Sequence, residues 1–136
     1  MRAEAIGTEE QELDVTFSEL VQKLQKDYGL EAALVVTTDG LVVDAATASG
    51  TEIDAEAIAA NAVSGLLMLE ALGQEFASAP RQAIIEFDRH LVLVAPLDQD
   101  TALVLVAAGS ANLGRLRLAV RRLGTLTSEA TPSVSA

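Results

Sequence analysis

A chain of 136 residues has room for one domain of ordinary size and not for two. Half of it is hydrophobic but only 3% is aromatic, so its core must be built from Leu, Val, Ile and Ala, and the ring anchors of sugar- and base-binding sites are scarce. With no cysteine, one histidine and a formal net charge of −11, disulfides, thiolate catalysis and cysteine zinc sites are excluded, and phosphate backbones are repelled.

Met1-Arg2-Ala3-Glu4 carries acid where a signal peptide needs base, and no run approaches the roughly 18 apolar residues of a membrane span. The expectation is a cytoplasmic protein with no nucleic-acid partner and no direct membrane insertion. Residues 1–13 are read as a flexible acidic arm, 14–124 as the domain and 125–136 as a disordered Ser/Thr-rich tail.

Thr16-Phe17-Ser18-Glu19 has the form of a capping box, Phe17, Leu20, Val21 and Leu24 follow at helical spacing, and Tyr28-Gly29 supplies a stop. A first helix is predicted over about 16–28. Ala32–Thr37 and Leu41–Asp44 read as strands joined through Thr38-Asp39-Gly40, where Asp-Gly predicts a type I′ hairpin turn. Residues 44–53 are small and polar and read as a loop. Asp54 caps a long second helix over about 55–78, closed by Pro80.

Gln82–Asp88, Leu91–Pro96 and Thr101–Ala107 read as three strands, and the short links between them demand an antiparallel meander. Asn112 caps a last helix with the stripe Leu113, Leu116, Val120 and Leu123. The predicted fold is α/β (α+β), in the order α-β-β-α-β-β-β-α, with five antiparallel strands between helices.

The long helix has more apolar surface than one sheet can cover. Ile58, Ala62, Gly65, Leu69, Leu72 and Phe76 fall on one stripe, expected to face the sheet. Val63, Leu66, Leu67 and Met68 then point elsewhere, while Ala59, Ala60, Ala62, Ser64 and Gly65 would admit another backbone closely. The spare surface predicts a helix from a second copy packed alongside; a covering loop or the first helix is the alternative.

At this point the order of elements and particular residues resemble a known family. Ala33-Leu34-Val35-Val36-Thr37-Thr38-Asp39-Gly40-Leu41-Val42-Val43, the Ala/Leu-rich helix 55–78, the meander Ala83–Ala107 and Ala111-Asn112-Leu113-Gly114-Arg115-Leu116-Arg117 carry the likeness. Over about residues 14–124 the chain resembles a roadblock-type domain, as in dynein roadblock light chains and bacterial MglB proteins, a fold of roadblock/profilin-like shape. No single motif is specific, and the likeness lies in the collective pattern.

The resemblance implies a homodimer that pairs the third strand across a two-fold axis with the long helices side by side. The expected interface is Val63, Leu66, Leu67, Ala83, Ile84, Ile85 and Glu86. It also implies a Ras-like small GTPase as partner, whose hydrolysis is stimulated by arranging the GTPase's own residues, with no catalytic side chain supplied. Partner contact is expected at Asn61, Ser64, Leu67 and Met68. A scaffold with no GTPase partner and a small-molecule sensor domain are the alternatives.

The remaining chemistry reads as structural. Residues 112–124 hold Arg115, Arg117, Arg121 and Arg122 and no acid. An arginine finger is one reading; flanking arginines that bury their stems, pair with acids of the sheet layer and suit the helix dipole are the favoured one. Gly109-Ser110-Ala111-Asn112-Leu113-Gly114 lacks the Lys and Ser/Thr of a P-loop. His90 has no second His or Cys to share a metal. No catalytic residue, metal or cofactor is expected.

Overall fold

The chain enters its first helix at the predicted capping box. Thr16 N–H donates to Glu19 Oε1 at 3.2 Å and Glu19 N–H donates to Thr16 Oγ1 at 3.1 Å, so two of the orphan donors of the first turn are satisfied reciprocally. The computed structural model describes residues 16–123; the expected acidic arm and Ser/Thr-rich tail lie outside them. Helix α1 spans Phe17–Tyr28 and ends on Gly29, whose φ of 62° is open to glycine at no steric cost.

Strands β1 (Ala32–Thr37), β2 (Val42–Thr47), β3 (Ala83–Glu86), β4 (His90–Pro96) and β5 (Thr101–Ala108) form one antiparallel sheet in the order β2-β1-β5-β4-β3. Helix α2 is Ala55–Gln74, and α3 occupies residues 113–123. The element order is the one the sequence predicts. β5 at the centre and β1 beside it are interior strands buried along most of their length, which is why they read as unbroken apolar runs.

The sheet separates two cores. On one face Ala33, Val35, Leu91, Leu93, Leu103 and Leu105 pack with Val21 and Leu24 of α1 and Leu116 and Val120 of α3. On the other, Leu34, Val36, Val94, Val104 and Val106 pack with Ala59, Val63 and Leu66 of α2. Alternation along each strand thus feeds both layers.

Three local expectations are corrected. The β1–β2 turn is not type I′: Gly40 alone takes positive φ (87°), Gly40 N–H donates to Thr37 O at 2.9 Å, and the register slips where Val35 faces Asp44 but Val36 faces Val42. This is a type I turn closed by a glycine bulge. β2 runs on to Thr47, through residues read as loop; it is an edge strand with one solvated side, so small and polar residues suit it.

Helix α2 stops at Gln74 and not at 78. Ser78 N–H donates to Gly73 O at 2.9 Å, and Ala77 is held at φ 54°, a Schellman-type closure with alanine where glycine is favoured. A Cβ on Gly73 would fall inside the van der Waals radius of Ser78 O, so the reversal depends on that glycine. Ala77→Gly is expected to raise stability by about 0.5–1 kcal/mol, by removing the Cβ strain of the left-handed conformation. Urea denaturation checks it; an unchanged or lower midpoint would mean that Ala77 is not strained there.

Candidate interaction surface

Helix α2 is positioned by Asp54, whose Oδ1 accepts from Ala57 N–H at 3.2 Å, and by its packing on β1, β2 and β5. The side chains that enter the sheet are Ala59, Val63 and Leu66, all buried, with Gly73 buried at the far end. Ala59, fully buried, is the small residue at which the helix meets the sheet, and Gly73 admits the returning backbone of Ser78.

The expected phase of the helix is therefore corrected by roughly a quarter turn. Val63 and Leu66, expected to point away from the sheet and into a dimer interface, lie beneath the helix in its own core. Leu72 and Phe76, expected in the core, are 55% and 65% exposed. An Ala-rich helix offers little contrast between faces, and the bulkiest residues do not mark the buried one.

What faces outward is a nearly uncharged apolar surface. Leu67 is 51% and Met68 73% exposed, and Asn61 and Ser64 are exposed with them. All four residues expected to meet a partner are thus on the solvent side. Asn61 Nδ2 donates to Ala57 O at 2.9 Å, leaving its Oδ1 as an acceptor for an incoming group. By length and composition α2 is apolar enough to cross a membrane, and little of it is buried. That corrects the expectation that no stretch comes near this threshold.

Strand β3 adds a second feature. It is a sheet edge, hydrogen-bonded to β4 alone among the described strands. Ala83 and Ile84 are half-buried, while Ile85 and Glu86 are exposed. Ile85 faces Val92 in register, and Val92 packs with the α2 core, so Ile85 presents its side chain on the same side of the sheet as α2. Phe87, just beyond the strand, is exposed too, and no pattern in the sequence points to it.

The other candidate residues settle into local roles. Asn112 Oδ1 accepts from Arg115 N–H at 3.0 Å as the cap of α3. Gly109 N–H donates to Arg89 O at 2.9 Å, and a Cβ there would crowd the Arg89 backbone; the glycine serves a close approach of two chain segments. His90 Nε2 lies 3.2 Å from Glu31 Oε2. Among the described residues no group of three His, Cys, Asp or Glu could hold a metal ion. The concavity at the β3–β4 turn, lined by Glu86, Phe87, Asp88, Arg89 and His90, is open to the surface.

An uncovered helix and a free strand edge on one side of an antiparallel sheet fit a domain that works by contact, and the comparison with known families decides which. The Roadblock/LC7 domain family matches residues 16–107, the greater part of the chain. The chain belongs to that family. Its fold is similar to that of the gliding protein MglB from Thermus thermophilus, with a TM-score of 0.73, 19% identity and coverage of 85% of this chain and 87% of that one. A Roadblock/LC7 domain from Streptomyces avermitilis gives a TM-score of 0.70 at 21% identity, covering 90% of this chain and all of that one. Profilin IA of Acanthamoeba castellanii shares the broader fold, at a TM-score of 0.56, 12% identity and coverage of 81% and 94%. No curated protein matches the sequence. As a Roadblock/LC7 domain the chain has a protein-interaction role of the regulatory kind general in that family.

Proposed function

We propose that this roadblock domain is a cytoplasmic homodimeric regulator whose partner is a Ras-like small GTPase. The observation that carries the reading is the outward side of α2, where Leu67, Met68 and Leu72 stand exposed on a helix of which so little is buried. Ala59, Val63 and Leu66 bind that helix lengthwise to its own sheet, which favours a docking face over a membrane span.

A second copy would cover part of this face and continue the sheet through β3, where an unpaired edge offers backbone donors and acceptors. The interface then comprises Leu67 and Ala83–Glu86, without Val63 and Leu66. The GTPase would meet Asn61, Ser64, Leu67 and Met68. Helix α2 contains no Arg or Lys, so a regulator using this platform has no guanidinium there to bring to a transferring phosphoryl group. It would act by arranging the GTPase's own residues.

Light scattering followed by capture from lysate, in a GTP analogue and in GDP, tests both parts. The expected result is a particle of two chains that retains a GTPase of roughly 20 kDa, about one domain of chain, identified by mass spectrometry and held only in the GTP-like state. A dimer that retains no GTPase in either state favours the scaffold reading. A monomer overturns the dimer.

A further inference from the structure

The arginines of α3 are the one strongly basic feature of an acidic sequence, and the topology places two of them at the end of the domain where α1 begins. Arg115, Arg117, Arg121 and Arg122 are all exposed on residues 113–123, together with Leu118 at 47%. No acid stands among residues 112–124. Arg115 lies 4.5 Å over the ring of Tyr28, a cation–π contact. Among the described residues no ion pair joins Arg115, Arg117 or Arg122 to an acid, which corrects, for these three, the expectation that the arginines pair with carboxylates of the sheet layer.

Helices α1 and α3 lie on the same face of the sheet and run in opposite directions. Ala32, just after α1, is opposite Val106, just before α3, and Arg115 at the start of α3 touches Tyr28 at the end of α1. Each helix is about 16–18 Å long at 1.5 Å per residue. Thr16, where the first fifteen residues join the fold, is therefore at the same end as Arg121 and Arg122.

Those fifteen residues are complementary in charge and character. They carry Glu4, Glu9, Glu10, Glu12 and Asp14 against a single Arg2, with Ile6 and Leu13 interspersed. At up to about 3.3 Å per residue they can span α3 end to end with chain to spare. Helix α1 is no competitor for them: its Lys23 and Lys26 are balanced by Glu19 and Asp27, and Lys23 Nζ already lies 3.0 Å from Asp27.

We propose that the outward face of α3 is a docking surface for an acidic segment, and that its occupant is the chain's own residues 1–15, with their carboxylates on the arginines and Ile6 or Leu13 on Leu118. Each exposed ion pair is weak and screened by salt. Several in parallel, on a segment tethered at Thr16, act at high effective concentration. A docked arm withholds the arginine face from any external acidic partner, so its release is a means of regulating that face.

The chain has no cysteine, which permits a clean test on the full-length protein. A nitroxide attached through Thr8→Cys on uniformly 15N-labelled chain reports on every backbone amide. At about 20 mM salt, where charges are felt over roughly 20 Å, we expect the amides of residues 114–122 to be broadened at least threefold more than those of β2. At about 500 mM the excess should disappear. Arg117→Glu with Arg122→Glu should abolish it, and Arg117→Lys with Arg122→Lys should retain most of it, both in chains whose spectra remain dispersed.

The docking is overturned if α3 is broadened no more than β2 at low salt, or if salt and charge reversal have no effect. A mixture of 15N-labelled chain without the nitroxide and unlabelled chain with it tests the source. The expected result is little broadening of α3; broadening as strong as in the single sample would assign the arm to another copy and overturn the intrachain form.

Discussion

Met68→Arg is expected to abolish partner capture while leaving the fold unchanged. Met68 is 73% exposed near the middle of α2, and arginine and methionine have similar helix propensity. The stability of the isolated chain should therefore move by no more than about 0.5 kcal/mol. In a complex the same position would be desolvated against an apolar partner face, and a guanidinium without a counter-charge is costly there. A loss of about 2 kcal/mol or more, some thirtyfold in affinity, is the scale for a central contact. Leu67 is one residue away and so about 100° round the helix; Leu67→Arg probes the other flank. Oligomeric mass and partner capture are to be read separately for each. Val43→Arg, exposed on the opposite sheet edge, serves as the control and should alter neither. If both α2 variants dimerise and capture partner like the parent chain, the outward face of α2 is not the platform.

The sequence was most legible where a local rule has a single solution. Thr16 and Glu19 can satisfy each other only across a first turn, and Asn112 and Asp54 are caps because their carbonyl or carboxylate oxygens reach an orphan amide. The central strands were legible because burial on both faces leaves no polar position to interrupt them. Asp39-Gly40 announced a hairpin but not its turn type, since glycine at positive φ serves a type I turn with a bulge as well as type I′.

The phase of α2 was the substantive failure. In a helix apolar on nearly every side, Leu69, Leu72 and Phe76 outweigh Ala59 and Gly73 on any scale of hydrophobicity. Yet the side chains turned to the sheet are Ala59, Val63 and Leu66, and Gly73 is buried beneath the chain reversal at Ser78. The excess of apolar surface was readable; the division between the buried and the exposed side was not, because it depends on tertiary contact. Asn61, Ser64, Leu67 and Met68, the residues expected to meet a partner, are exposed on the outward side.

Leu103→Ala is expected to cost about 3–4 kcal/mol, whereas Leu118→Ala, which removes the same atoms, should cost under about 0.5 kcal/mol. Leu103 is wholly buried on β5, with Val35 opposite it on one side and Ala95 on the other. It points into the layer shared with α1 and α3. Truncating it opens a cavity among strands held in register on both sides, so the walls have little freedom to close. Leu118 stands on the solvent side of α3 and leaves no such void. For a domain stable by about 5–15 kcal/mol, the first loss is a large share of the total. Both variants should be compared by chemical denaturation at one protein concentration, because association adds to the apparent stability by mass action. Comparable losses at the two positions would contradict a sheet packed on both faces, and with it the use of that sheet as the rigid base on which α2 presents its outward face.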